Sequence, residues 1–403
     1  MPSGAIREGY SDAVSDQNPA PRLQLKRMMP RDPTQEHRAA STLELFFDLV
    51  FVVAVSVASA QLHHALSHGD FVHGVTSYAV GFFAIWWAWM NFTWFATAFD
   101  TDDWLYRVTT FVQMGGVLVL AAGIPNVFQH GEFGVAVIGY VVMRVAMIAQ
   151  WLRASRSAGP LRAATRRYAI GIAGAQILWV LFLLIPVGPL QTAAFILCAL
   201  IEVSVPVFAE FRERTPWHPH HITERYGLFT LIVLGESLLA SANAIIEALH
   251  EAERLGPLIA ISALTLIVTA SLWWIYFWPP HHRAITSFAR SLRYGYIHYF
   301  VFAAAAAFSA GIEVEIDVLT GASHLSAVAA SYTVTIPIAV FLLGIWWIAI
   351  RENADRVVNI VIPVGALLVL LDPVLPVPVT FSAGILIAIV VVLVLRPPQH
   401  DIS

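Results

Sequence analysis

Twelve apolar runs, most of them near the length that crosses a lipid bilayer, constrain this chain more than any other feature. A helix rises 1.5 Å per residue, so roughly 20 mostly apolar residues span the hydrocarbon layer. Divided at their polar or Gly/Pro boundaries, the runs cover residues 43–62, 75–98, 107–126, 132–153, 166–185, 189–210, 222–244, 256–278, 289–310, 325–350, 357–371 and 376–395. The eleventh is short and ends at Asp372-Pro373, which leaves open whether 357–371 fully spans, and so whether there are ten, eleven or twelve crossings. Hydrocarbon offers no partners to the peptide groups, which makes each crossing an α-helix. The composition agrees: 58% of the residues are hydrophobic and 12% charged, about half the charged fraction of an ordinary soluble domain. The expected fold is an all-α polytopic membrane protein of about twelve transmembrane helices.

The arginines test the count independently. With the N-terminus inside, the cytoplasmic segments receive Arg107, Arg153, Arg156, Arg162, Arg166, Arg167, Arg212, Arg214, Arg283, Arg290, Arg293, Arg351, Arg356 and Arg396. The opposite side receives Arg254 and is rich in acids, among them Asp70, Glu132, Glu313, Glu315 and Asp317. An error of a single span would destroy that asymmetry downstream. Residues 1–41 read as a disordered, basic cytoplasmic arm that serves as a topology signal, with no nucleic-acid role and no cleaved signal peptide. Residues 42–211 and 212–396 form two six-helix halves, and 397–403 a short cytoplasmic tail. Trp86, Trp87 and Trp89 in the second span match Trp273, Trp274 and Trp278 in the eighth, and six is even. The halves therefore read as parallel internal repeats.

The connections are short, so function has to reside in the bundle or at its rims. Cys198 stands alone and rules out an intrachain disulfide framework. No phosphate-binding loop, H-E-x-x-H or G-x-S-x-G element occurs, so no catalytic residue and no cofactor is assigned. Histidines gather at 63, 64, 68 and 73 and again at 218, 220, 221, 281 and 282, without the spacing of a metal signature.

What remains is a set of charges inside would-be membrane helices, where they are costly enough to need a reason. Glu44 and Asp48 lie one turn apart on the first helix. Their plainest role is to complement the positive end of its dipole, and the functional alternative is a cytoplasmic vestibule or cation site. Glu236 lies about 14 residues beyond the start of its helix, roughly 20 Å deep. Flanked by Gly235 and Ser237, it is expected to point into the bundle and bind a proton or cation. Arg144, near the centre of the fourth span, needs an acidic partner, and Glu236 and Glu202 have the opposite charge at overlapping depth. Glu224, Arg225 and His221 stand at the entrance to the seventh helix. His298 reads as a packing histidine, and Pro206 and Pro337 as kinks in the sixth and tenth helices.

The stretches Glu44-Leu-Phe-Phe-Asp48-Leu-Val-Phe51 and His221-Ile-Thr-Glu224-Arg225-Tyr-Gly227-Leu-Phe-Thr-Leu-Ile-Val-Leu-Gly235-Glu236 resemble the bacterial low temperature requirement A (LtrA) family over about residues 35–396. The resemblance implies a multi-pass protein of the bacterial inner membrane, with both termini cytoplasmic by the arginine count. It marks Glu44, Phe47, Asp48, His221, Glu224, Arg225, Gly227, Gly235 and Glu236, and the family name carries no mechanism.

Together these features point to a secondary transporter or ion-translocating protein coupled to a proton or monovalent cation. Glu236 and Asp48 would be its binding carboxylates, with Glu44, Glu224, Arg225, Glu202, Arg144 and His221 in support. An intramembrane enzyme acting on a lipid or isoprenoid headgroup, and a structural or sensory membrane protein, are the alternatives. Membrane lipids are the expected partners. Small residues such as those of 303–307 leave a homo-oligomer open.

Overall fold

The structure is a computed structural model that describes residues 25–35, 38–251, 255–375 and 379–399. Twelve α-helices follow one another in it: α1 (Thr42–Ser67), α2 (Phe71–Phe99), α3 (Trp104–His130), α4 (Gly134–Ser157), α5 (Arg162–Phe182), α6 (Pro189–Ala209), α7 (Pro219–Glu251), α8 (Leu255–Phe277), α9 (Phe288–Thr320), α10 (Ala327–Ile345), α11 (Arg356–Val369) and α12 (Thr380–Leu395). Ten segments among the described residues are long and apolar enough to cross a membrane, α11 counting together with the short turn to Val374. The exceptions are α5, which opens on Arg162, Arg166 and Arg167, and α12, which has 16 residues. Side chains such as Ile170, Leu184, Leu190 and Leu367 stand fully out from the bundle. So much outward apolar surface is stable only against lipid.

Helix starts follow from local chemistry. Ser41 caps α1: its hydroxyl accepts from Glu44 N–H while the Glu44 carboxylate accepts from Ser41 N–H at 2.8 Å. Asp103, Ser287, Ser326 and Asp355 cap α3, α9, α10 and α11 through their side-chain oxygens. Pro206 and Pro337 lie inside α6 and α10, which run on past them. The clearest irregularity is a wider turn at Trp346–Ile350, where α10 ends.

Glycine sets the closest crossings. A Cβ at Gly123 would meet Ala136 N at 2.3 Å, and one at Gly139 would meet Leu120 N at 2.3 Å, so α3 and α4 touch backbone to backbone. Gly311 does the same for α9 and α10, where a Cβ would stand 2.3 Å from Thr333 O. α1 packs on α2 and α3 and also on the distant α7 and α9.

Part of the expected arm, residues 1–24, lies outside the described residues. At 25–35 and 38–41 the expected disorder gives way to specific contacts. Lys26 N–H donates to Asp103 at 3.0 Å, Arg31 N–H to Ala98 O at 2.9 Å, and Met28 is buried. The Arg38 guanidinium donates to Thr97 O and to Ala96 O at 2.7 Å, sharing the latter with Asp100 N–H at the end of α2. Burial pushes its pKa down to about 10, so it stays charged. At the same end of the bundle Gln399 N–H donates to Asn353 O at 2.8 Å; residues 400–403 of the tail lie outside the described residues.

Candidate functional site

Two fully buried ion clusters lie back to back across α2. The first joins α1 to α7. Arg225 grips Asp48 with both arms of its fork, Nη2 to Oδ1 at 2.5 Å and Nε to Oδ2 at 3.1 Å. Its Nη1 lies 3.0 Å from Glu44 Oε1, near enough for an ion pair but out of line for a hydrogen bond, and neither atom has another hydrogen-bond partner. His221 Nε2 lies 3.2 Å from the same Glu44 oxygen, while its Nδ1 has no partner. Trp89 Nε1 donates to Asp48 at 2.7 Å. His218 accepts the His221 N–H at Nδ1, so its Nε2 carries the proton donated to Gln35 O at 2.7 Å and ties the arm to the cluster.

The charge count of this cluster matters most. In direct contact two carboxylates face one guanidinium, so with neutral His221 these four residues are one positive charge short, and the only further positive charge acting on Glu44 among the described residues is the buried guanidinium of Arg38, which belongs to the arm. A buried, partly unsatisfied cluster pays heavily for that imbalance, and one proton or monovalent cation removes it.

The second cluster is balanced in charge, one guanidinium to one carboxylate, though Arg144 Nε has no hydrogen-bond partner. Arg144 on α4 donates to Glu202 on α6 at 2.8 Å, and the other Glu202 donors are Trp87 Nε1 at 2.9 Å and Gln176 Nε2 at 2.8 Å. Of the two partners expected for Arg144, the structure selects Glu202. Its Tyr140 neighbour lies under the guanidinium at 5.7 Å from the ring centroid. Trp87 and Trp89 are two positions apart, roughly 200° around α2, which is why one indole reaches each cluster.

Glu236 lies away from both. It is half-buried on α7 and accepts a hydrogen bond from Ser56 Oγ of α1 at 2.5 Å; Gly235, beside it, is exposed with open space where a side chain would be. The expectation that Glu236 points into the bundle therefore gives way to a position in the outer margin of the α1–α7 seam. Glu224 is exposed and accepts from Ala40 N–H at 3.2 Å, fastening the arm to α7. At the far end of α1, His63 lies 2.9 Å from Glu313 and 2.7 Å from Asp317 of α9, with Ser67 also on Asp317. The carboxylates thus form three stations along α1: Glu44 and Asp48, then Glu236 at Ser56, then Glu313 and Asp317 at His63. Eight residues, roughly 12 Å, separate Asp48 from Ser56. Phe51, Val55, Phe229 and Val233 are fully buried in that interval, so the path is closed.

The expected histidine groups disperse. His73 bonds to Phe128 O and His68 to His64 O, whereas His220 and His282 stack at 4.1 Å. Among the described residues no group of three or more His, Cys, Asp or Glu is placed to hold a metal. His298 is fully buried between Tyr276 and Tyr294 O, as a packing histidine is. Nothing in the linear sequence marks the Trp87 and Trp89 indoles or Gln176 as partners of the carboxylates; the tryptophan run reads equally well as an interfacial belt.

Two spaces open near these groups. At the arm end, Asn91, Trp94, Trp151, Tyr168, Glu210 and Thr215 line a pocket of about 40 Å³, room for a water or two. A groove of about 440 Å³, almost wholly apolar, lies between α1, α2, α9 and α10, lined by Leu62, Tyr78, Ala303 and Ile336 among others.

The family model described as bacterial low temperature requirement A protein (LtrA) matches residues 39–395. A protein of Rhizobium meliloti (strain 1021), described as uncharacterized, is 31% identical over 264 residues; the match covers 63% of this chain and 62% of that protein.

Proposed function

The chain belongs to the bacterial low temperature requirement A family of multi-pass membrane proteins, and from that premise we propose that it translocates an ion or a small ion-coupled substrate by way of the α1–α7 seam. The supporting observation is the charge count at Glu44, Asp48, His221 and Arg225. A proton or monovalent cation that binds there neutralises the cluster, and its departure leaves a carboxylate that Arg225 holds only as an ion pair. Binding and release therefore change how firmly α1 is latched to α7. Glu236 is the next station: a carboxyl at that depth tolerates hydrocarbon as the neutral acid and water as the carboxylate, which suits it to take up and give off a proton. Glu44 and Glu236 bind; Asp48, His221 and Arg225 form the latch. Glu224 holds the arm over it, and Arg144 with Glu202 keeps the neighbouring helices in place.

The same reading places the arginine-rich end, with both termini, in the cytoplasm and the protein in the inner membrane. It divides the bundle into parallel six-helix repeats, 42–211 and 212–396. Matched packing supports that division: α1 on α3, α3 on α4 and α4 on α5 correspond to α7 on α9, α9 on α10 and α10 on α11. The headgroup-enzyme alternative would draw on a groove beside His221, Glu224 and Arg225, whereas His221 and Arg225 are sealed and the apolar groove between α1, α2, α9 and α10 is lined by neither of them.

Proteoliposomes with an imposed pH or cation gradient test the reading. Wild type should dissipate the gradient, and Glu236→Gln should lose at least tenfold in rate while keeping its thermal midpoint. Full flux in the folded variant would remove Glu236 from the path.

A further inference from the structure

One buried carboxylate pair has no cationic partner. Glu315, near the end of α9, is 3% exposed, and its Oε1 has no hydrogen-bond partner. Asp372, in the turn after α11, is 0% exposed; its Oδ2 accepts from Ser382 N–H at 3.2 Å and Ser382 Oγ at 2.6 Å, but its Oδ1 has no partner. Ser331 and Asp372 are the polar groups that act on Glu315, and α10 packs on the 372–374 turn. Ser331 and Thr335 share one face of α10 and are 1% and 0% exposed; the Ser331 hydroxyl lies against Glu315 without the geometry of a full hydrogen bond, and the Thr335 hydroxyl has no partner. Four groups that need partners are thus gathered where α9, α10 and the α11–α12 turn meet.

The membrane-embedded carboxylates of the two ion clusters are answered by arginine, Glu44 and Asp48 by Arg225 and Glu202 by Arg144, and buried Glu210 at the arm end is held by the hydroxyls of Tyr168 and Thr215. Capping the start of α12 accounts for one oxygen of Asp372 and for nothing at Glu315. A trapped water would supply hydrogen bonds but no charge, and two neighbouring carboxyls in a low-dielectric interior need either a retained proton or a bound cation; a proton answers the charge and leaves the oxygens of the two hydroxyls without a ligand, whereas a cation answers both. The donors are carboxylate and hydroxyl oxygens without nitrogen or sulfur, a set suited to hard cations and unsuited to zinc or copper.

We propose that Glu315, Asp372, Ser331 and Thr335 form a binding site for a hard metal cation of the Na⁺ or Ca²⁺ class, between α9, α10 and the α11–α12 turn. The site lies at the opposite end of the bundle from the Arg225 latch and does not depend on the translocation reading. Occupancy would tie the last two helices to α9 and α10.

The test is thermal unfolding of the purified full chain in detergent, titrated with NaCl, KCl, CaCl₂ and MgCl₂ against choline chloride at matched ionic strength. A saturable rise in midpoint is expected with at least one of these cations, since a ligand of the native state stabilises as its concentration passes Kd. Glu315→Gln and Ser331→Ala should abolish or sharply weaken that rise, and Glu313→Gln should retain it. Asp372→Asn should abolish it too, but because Asp372 also caps α12 the first two variants carry the test if that one does not fold. The proposal is overturned by midpoints that match choline for every cation, by a midpoint that responds to acid alone, or by an unchanged response in Glu315→Gln. Flux plays no part in the readout, so this site and the translocation reading fail separately.

Discussion

Arg144 and Arg225 occupy similar surroundings and answer to different arithmetic. Arg144 meets one carboxylate, and its cluster is neutral as built; Arg225 meets two. Breaking a buried pair leaves an unpaired charge, at a cost of about 3–5 kcal/mol, whereas replacing both members with apolar residues is often near neutral. Arg144→Met and Glu202→Leu should each lower stability by about that amount, and the double variant by much less than their sum. Thermal or denaturant unfolding in detergent measures the cycle; additive losses would mean that the two residues do not act as a pair. At this scale the sequence reveals which residues are costly but not what faces them. Depth along a helix follows from residue number, which is how Arg144 could be matched to Glu202 or Glu236 and no further. The direction around the helix axis depends on packing, so the indoles of Trp87 and Trp89 and the uncompensated Glu315 and Asp372 emerge only from the fold.

Helices were the most legible level, because apolar length is what a bilayer demands. The sequence nevertheless ends the ninth span near 310, where Glu313, Glu315 and Asp317 begin, while α9 continues to Thr320. The last turns persist because His63 and Ser67 of α1 engage Glu313 and Asp317. Close crossings were not legible, since a glycine in a membrane helix has no mark that tells contact from open space. Gly123 and Gly115 on α3 make the contrast: a Cβ at the first would strike the α4 backbone, and at the second would meet nothing within 4 Å. Gly123→Val should therefore force α3 and α4 apart and cost about 1–3 kcal/mol or more. Gly115→Ala should be neutral or mildly stabilising, by up to about 1 kcal/mol. Thermal midpoints of the two variants decide this, and equal midpoints would contradict the close crossing.

For the whole molecule, the seam between α1 and α7 is where buried charges on two helices far apart in sequence meet. Latch and mid-seam carboxyl lie on the same two helices, separated by a buried apolar interval, so under the proposed reading the structure corresponds to a state closed between the two. The motifs at 44–51 and 221–236 foreshadow this meeting, because each carries charges that a single helix cannot satisfy. The carboxyl of Glu236 is also the most direct point of measurement. A membrane-permeant carbodiimide adds to a carboxylic acid in its protonated form and leaves a stable adduct that mass spectrometry can place. Labelling of wild-type protein in liposomes at a series of pH values should modify the peptide containing Glu236, weaken as the pH rises, and stop transport in proportion to the adduct formed. No adduct at Glu236 at any pH, or complete modification with transport intact, would contradict a role for this carboxyl in carrying the proton.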